Sequence, residues 1–215
     1  MVTKSLLYEY YVLGIGALAI TYLAIRGTIG SQIYGFIPDA VFTIAFLVML
    51  FFTRKIWNLT PASYSLIAFG FVLHNMGFLG FYGKSLLLDW DHITHLFGAM
   101  SFAVLFYKFF EPKLEKKIAT IKNTIMYFVA GLAAFGAGAI IELLEFIAYI
   151  RLNRGDGILF TGPGDGLTGL AATDLIEATG STYTNVGYDL VYNMAGILIA
   201  ITLLILWRAV RSKFK

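Results

Sequence analysis

Carboxylate and imidazole side chains lie close together in the segment DWDHITH, which opens an otherwise apolar stretch of the chain. Asp91 and His95 are four positions apart, and His92 and His95 are three positions apart. On an α-helix, side chains at these spacings are neighbours on one face. Because two such side chains can bind the same metal ion, the segment predicts part of a ligand-binding site.

Three other apolar stretches carry the same residue types. IIELLEFIAY contains Glu142 and Glu145, YDLVYNMAG contains Asp189, and LHNMG contains His74. A charged carboxylate at the centre of a membrane costs about 2.5–3.5 kcal/mol on insertion scales, so unpaired ones are rare. Glu142 and Glu145 lie one helical turn apart, and two like charges so close together favour a shared cation or proton. The set therefore predicts a common polar site.

The residue types of this set indicate which ion it would hold. Carboxylates and imidazoles without thiolates suit hard or borderline divalent metals, namely Zn²⁺, Fe²⁺, Mn²⁺ or Mg²⁺. We expect the metal ligands to be drawn from Asp91, His95, Glu142, Asp189 and His74. Glu145 and His92 are the candidate general bases, because each lies near a predicted ligand without having to be one.

Simpler roles are open for several of these residues. Asp91 and Asp189 stand at predicted helix starts, where carboxylates cap N-termini. His74 taken alone is typical of a buried histidine that only forms hydrogen bonds. The whole set is also compatible with a proton relay or an ion-pair network that binds no metal. Capping does not suit Glu142 and Glu145, because they lie well inside a stretch and toward the wrong helix end.

The composition determines the setting of this site. Hydrophobic residues make up 59% of the 215 residues, charged residues make up 13%, and the mean hydropathy is +0.77. A soluble domain has roughly 25% charged residues, so the chain is predicted to be an integral membrane protein. It contains no cysteine, which excludes disulfides, thiolate metal sites and cysteine nucleophiles. The net charge of +3 does not indicate nucleic-acid binding in such a protein, and we expect no nucleic-acid partner.

Six apolar stretches are close to the roughly 20 residues that a helix needs to cross the hydrocarbon layer. They run approximately over residues 5–25, 37–53, 63–82, 90–110, 124–150 and 187–207. The predicted fold is an all-α, polytopic helical membrane bundle that forms a single domain over residues 1–215. The longest connection, 151–186, is predicted to be either a lid or a plain loop, with a short interfacial helix over 167–178.

The basic residues predict the orientation of the bundle. Twelve of the sixteen Lys and Arg residues lie on one side of the predicted spans, and only Arg26, Lys84, Arg151 and Arg154 lie on the other. Because short basic loops stay on the cytoplasmic side, both termini are predicted to be cytoplasmic and the protein to lie in the cell membrane. The polar residues then share one outer layer. At ~1.5 Å rise per residue, Glu142 lies about 12 Å from the outer end of its span.

Small residues in the fifth span predict close helix packing near this layer. Ala130, Ala134 and Gly138 follow one another at intervals of four. Such a stripe lets a neighbouring helix approach closely, which would bring ligands from different helices together.

The ordered segments DHITH, ELLEF and YDLVYNMAG resemble the YjdF-like family of uncharacterised polytopic membrane proteins over roughly residues 60–205. The resemblance implies that the family's polar positions fall on the following residues: Asp91, His95, Glu142, Glu145 and Asp189. At Val191 and Asn193 the chain departs from the Gln and Asp of the family pattern. The spacing of Asp189, Asn193 and Gly196 is also similar to VanZ-like membrane proteins. Both resemblances imply a shared polar site and no particular activity.

These observations lead to one preferred functional prediction and two alternatives. The preferred function is a metal-dependent membrane hydrolase, or an enzyme of related chemistry, that acts on a lipid-like or small-molecule substrate at the bilayer. The first alternative is a cation- or proton-coupled transporter that uses the same carboxylates, although few ionisable groups line the cytoplasmic half. The second alternative is a non-catalytic scaffold subunit in which the polar layer only holds the helices together.

Overall fold

A computed structural model describes residues 4–31, 36–81, 89–152 and 182–213 of the protein, and the regular structure in these ranges is helical. The α-helices are α1 (Lys4–Ser31), α2 (Phe36–Thr53), α3 (Pro61–Met76), α4 (Trp90–Phe110), α5 (Ile121–Leu152) and α6 (Thr182–Lys213). Short 3₁₀ turns follow α3 at Gly77–Leu79 and α4 at Glu111–Lys113. The all-α prediction is confirmed.

Four of these helices are long and apolar enough to cross a membrane. The apolar segments are Leu6–Gly30, Trp90–Lys113, Ile121–Leu144 and Val186–Ser212. The α2 segment Ile37–Thr53 is apolar but shorter, and α3 has 16 residues. The chain is therefore a multi-pass helical membrane bundle. Six membrane crossings and cytoplasmic termini stay predictions.

Helix α3 is shorter than the predicted span 63–82, and local sequence explains both of its ends. It begins in a capping box, in which Thr60 Oγ1 accepts from the backbone N–H of Ser63 (3.3 Å) and Ser63 Oγ accepts from the N–H of Thr60 (2.8 Å). Pro61 occupies the first turn, where its missing N–H costs nothing. After the 3₁₀ turn, Gly80 has a φ of 84°, a left-handed conformation that glycine adopts easily and that does not continue a helix.

The bundle has two apolar cores, one in each half of the chain. The first core joins α1, α2 and α3 through buried residues such as Ile20, Leu47 and Ile67. The second joins α4, α5 and α6 through smaller residues, including Ala103, Ala134 and Ala200. Small side chains bring helix axes close together, so the second half is the one in which polar groups from three helices can meet.

Glycines mark the closest approaches in this second half. A Cβ at Gly196 of α6 would overlap the carbonyl oxygen of Leu96 on α4 and lie 3.0 Å from its carbonyl carbon. A Cβ at Gly138 of α5 would lie 3.0 Å from the side-chain nitrogen of Asn193 on α6. The predicted close approach along α5 is confirmed, since Ala130 and Ala134 are fully buried.

The N-termini of α2, α4 and α6 share one end of the bundle, which we call the outer end after the predicted orientation. The other end contains an ionisable pair that the sequence did not single out. Glu9 is 5% exposed, and its carboxylate lies 2.9 Å from Nε of Arg54, which also stacks over the Phe51 ring at 4.7 Å. Lys108, which is 8% exposed and pairs with Glu111, is a second buried ionisable group at this end. Among the described residues, the expected scarcity of ionisable groups at the predicted cytoplasmic end therefore has buried exceptions.

Candidate metal centre

Three carboxylates from three helices surround the imidazole of His95 on α4. Nδ1 of His95 lies 3.0 Å from Oε1 of Glu142 on α5. Nε2 lies 3.2 Å from Oδ1 of Asp91, one turn earlier on α4, and 3.8 Å from Oδ1 of Asp189 on α6. We call these four residues the α4–α6 site. The structure thus brings together four of the five predicted metal ligands.

The α4–α6 site is buried within the bundle. Asp91 is 8% exposed, Glu142 is 3% exposed and Asp189 is 1% exposed. Buried charges are retained only where they are paired or bind a metal, because desolvation penalises an isolated ion by several kcal/mol. The three carboxylates around this imidazole carry more negative charge than a single protonated histidine can neutralise. The site therefore has the electrostatic character of a cation-binding site.

The ligand atoms of three residues are close enough together to share one ion. One ligand atom each from Asp91, His95 and Asp189 lie within 4.8 Å of one another. Zinc–oxygen and zinc–nitrogen bonds are about 2.0–2.2 Å long, so two ligands of one ion lie at most about 4.4 Å apart. Small side-chain adjustments would bring all three atoms to one ion.

Glu142 occupies a different position from these three. It contacts Nδ1 of His95, the ring nitrogen opposite the one that Asp91 and Asp189 approach. Oε1 of Glu142 also accepts a 3.4 Å hydrogen bond from the Asn193 amide. A carboxylate on the far nitrogen of a metal-binding histidine sets the tautomer and the ring orientation. The geometry suits Glu142 to that orienting position better than to direct ligation.

Local structure explains how α6 supplies its part of the site. Helix α6 begins at Thr182, so Asp189 lies in its third turn and not at its N-terminus. The alternative that Asp189 only caps the helix is therefore wrong. Asn193 follows one turn later on the same face, and the absence of a side chain at Gly138 leaves room for it. Asn193 was not among the predicted site residues, although its spacing of four from Asp189 was the available signal.

Asp91 lies in the first turn of α4, so the helix dipole also favours its charge. The residue before the helix is Asp89, whose side chain forms no capping hydrogen bond. Thr94 Oγ1 donates to the backbone carbonyl of Asp91 at 2.7 Å, which stabilises this first turn. The close approach of Leu96 to Gly196 then holds α4 against α6 just below the site.

The two candidate bases are placed differently. His92 is outside the group of ligand atoms; its ring stacks on Tyr192 with a centroid distance of 4.2 Å and an interplanar angle of 15°. Nδ1 of His92 lies 3.9 Å from Oδ2 of Asp89. The side chain of Glu145 lies outside the described residues, as does the predicted interfacial helix over 167–178. The role of both bases stays a prediction.

His74 is the predicted ligand that the structure places elsewhere. Its Nε2 lies 3.2 Å from Oδ2 of Asp39 on α2, and it is not part of the ligand group of Asp91, His95 and Asp189. Its position follows from the packing of α3 against α1 and α2, whereas the carboxylates of the α4–α6 site belong to the other half. Asp39 was not among the predicted site residues.

The sequence model of the family described as "Predicted membrane protein (DUF2238)" matches residues 8–210. The chain belongs to this family. The description supports a membrane protein and contains neither the YjdF-like nor the VanZ-like name. No curated protein and no solved structure matches the chain.

Proposed function

We propose that this member of the family binds one divalent metal ion through Asp91, His95 and Asp189, and uses it in hydrolytic or related chemistry on a membrane-associated substrate. One observation carries the proposal: two carboxylate oxygens and an imidazole nitrogen, all from largely buried residues, lie within 4.8 Å of one another. Unrelated polar residues of a lipid-facing bundle have no reason to converge in this way, because burying them is costly.

The charge of the three ligands suits a divalent ion. Two carboxylates together neutralise a charge of +2, and the imidazole contributes a neutral nitrogen. Imidazole favours Zn²⁺, Fe²⁺ and other transition metals, whereas carboxylates also accept Mn²⁺ and Mg²⁺. The mixed ligand set supports the predicted list of ions, with the transition metals preferred over Mg²⁺.

Glu142 would support the ion indirectly. From its position 3.0 Å from Nδ1 of His95, it would accept that N–H and leave Nε2 as the metal-binding nitrogen. Asn193 would in turn hold the Glu142 carboxylate through its amide. This assignment changes the role of Glu142 from a predicted direct ligand to a positioning residue.

Three protein ligands leave coordination positions open for water and substrate, as in catalytic metal sites. A metal bound there would lower the pKa of its water toward about 7 and supply the nucleophile. His92 would then be the candidate base on the rim of the site, held by its stacking on Tyr192. The apolar flank of α6 faces outward at Tyr188 and Val191, which are 55% and 62% exposed. A lipid-like substrate could reach the site along this flank.

Metal analysis of the purified protein tests the proposal directly. We expect about one divalent transition-metal ion per chain when the protein is purified without chelator, and its loss in His95→Asn and Asp189→Asn. Asp39→Asn is the matched control, because it removes a buried carboxylate that also contacts a histidine but lies in the other half. Failure of the wild-type protein to hold or take up any divalent ion would overturn the proposal, as would equal metal content in all three variants.

A further inference from the structure

A second polar cluster lies at the outer end, between α2 and α3. Oδ2 of Asp39 contacts Nε2 of His74 at 3.2 Å. The next turn of α2 carries Thr43, whose hydroxyl oxygen accepts from the Asn75 amide at 3.2 Å. We call Asp39, Thr43, His74 and Asn75 the α2–α3 site. It contains one carboxylate, and the α4–α6 site contains three.

This second site has a surplus of acceptor atoms. Asp39 is 1% exposed, and Thr43 and Asn75 are fully buried. Within the described residues, neither Oδ1 of Asp39 nor Oδ1 of Asn75 has a hydrogen-bond donor. A buried acceptor without a partner costs about 1–3 kcal/mol, and more when it is charged. Two such oxygens in one cluster therefore require an explanation.

The donors of the cluster are already in use. The Asn75 amide donates to Thr43 Oγ1 at 3.2 Å and to the backbone carbonyl of Phe71 at 2.8 Å. The Thr43 hydroxyl is directed to the backbone carbonyls of Asp39 and Ala40, at 3.2 and 3.0 Å. No rotation of these groups supplies a donor to the two free oxygens without removing an existing bond. Both oxygens therefore remain available to a cation.

We propose that the α2–α3 site binds one monovalent cation of the size of Na⁺, with Oδ1 of Asp39 and Oδ1 of Asn75 as ligands. Carboxylate, amide and carbonyl oxygens are the hard donors that such ions prefer, and ions in membrane bundles are held by oxygens of this kind. A single carboxylate neutralises a single positive charge, so a divalent ion would keep an uncompensated charge in a buried place. Thr43 and His74 hold the two ligands in position.

Sodium dependence of stability tests this proposal with the protein as it exists. We expect the thermal unfolding temperature of the purified protein to be roughly 3–6 °C higher in NaCl than in choline chloride of equal ionic strength, because an ion that binds only the folded state stabilises it. KCl should give a smaller shift, since a larger ion fits the same ligands less well. Equilibrium dialysis with radioactive Na⁺ should recover about one ion per chain.

Variants separate this site from the metal centre. Asp39→Asn and Asn75→Leu should each abolish the sodium shift, and Asp189→Asn should keep it while losing the divalent metal. Asn75→Asp is a variant with altered specificity: a second carboxylate should replace sodium stabilisation with stabilisation by Ca²⁺ or Mn²⁺. If the variants fail to fold, the dialysis of the wild-type chain still decides.

Three results would overturn the proposal. The first is equal unfolding temperatures of the wild-type protein in NaCl, KCl and choline chloride, which would assign the two oxygens to a bound water. The second is stabilisation of Asp189→Asn, which lacks the proposed divalent site, by divalent ions and not by sodium. The third is a sodium shift that persists in Asp39→Asn. None of these outcomes depends on whether the α4–α6 site binds a metal.

Discussion

The two polar sites at the outer end of the bundle share one motif and differ in charge. In each, an imidazole nitrogen lies 3.2 Å from a carboxylate oxygen, His74 with Asp39 and His95 with Asp91. The α4–α6 site adds two further carboxylates, from Glu142 and Asp189. The α2–α3 site adds only neutral groups, the hydroxyl of Thr43 and the amide of Asn75.

Under the two proposals, the number of carboxylates that act as ligands selects the ion. Two carboxylates and an imidazole match a divalent metal, whereas one carboxylate and an amide oxygen match a monovalent ion. The difference also follows the packing of each half. Small residues let α4, α5 and α6 approach closely enough for three helices to supply ligands, and larger residues such as Ile20 and Leu47 fill the other core.

The largest effect should come from removing the central imidazole of the α4–α6 site. His95→Asn leaves three buried carboxylates without the nitrogen that pairs them, and breaking such a buried network costs about 3–5 kcal/mol. We expect loss of metal binding together with a fall in the free energy of unfolding of that size, measured by thermal unfolding in detergent. His74→Asn leaves a single carboxylate, so its loss of stability should be smaller. Equal losses in the two variants would contradict the charge difference between the sites.

The next effect concerns the packing that only the α4–α6 site needs. Gly196→Ala places a Cβ against the Leu96 carbonyl, and overpacking of this kind costs about 1–3 kcal/mol. The variant should lose stability and metal content together, because α4 and α6 must separate. Gly98→Ala on α4 is the matched control: a Cβ there meets nothing within 4 Å, and alanine favours a helix by about 1 kcal/mol over glycine. Normal metal content in Gly196→Ala would refute this account of the close approach.

A smaller effect is expected from the carboxylate that orients His95. Glu142→Gln keeps the size of the side chain and removes its charge, and loss of such a partner typically lowers metal affinity about 10–100-fold. Titration of the metal-free protein would measure this change. A complete loss of binding would instead assign Glu142 as a direct ligand, and unchanged affinity would exclude both roles. Asp39→Asn should leave the affinity for the divalent metal unchanged.

The smallest effect should distinguish the two amide side chains. Asn193 donates one long hydrogen bond, 3.4 Å to Glu142, so Asn193→Ala should cost about 0.5–1.5 kcal/mol. Asn75 donates two shorter bonds and is fully buried, so Asn75→Ala should cost more. Measuring the unfolding of both variants in choline chloride compares the contributions of the two side chains to stability in the absence of sodium. A larger loss of stability in Asn193→Ala than in Asn75→Ala would show that the α2–α3 site is the less tightly held of the two.

The sequence predicted the presence of the helices better than the residues at which they begin and end. The predicted span 90–110 coincides with α4 (Trp90–Phe110), and the predicted span 37–53 differs from α2 by one residue. The span 63–82 was too long at its end, because hydropathy does not register the left-handed turn at Gly80. The predicted connection 151–186 was too long, because both flanking helices extend beyond their apolar segments. Helix α5 continues to Leu152, and α6 already begins at Thr182. Polar residues continue both helices past the point where hydropathy falls.

By itself, the sequence determined the class of the protein and the chemistry it offers. Hydropathy set the membrane bundle, and helical periodicity placed Asp91 and His95 on one face, since both depend only on residues near each other in the chain. The tertiary structure alone decided which polar residues meet. His74 and His95 belong to the same predicted outer layer, but rotation and packing of their helices place one beside Asp39 and the other beside Glu142 and Asp189. Depth follows from position in the chain, whereas the direction in which a helix face points depends on its neighbours.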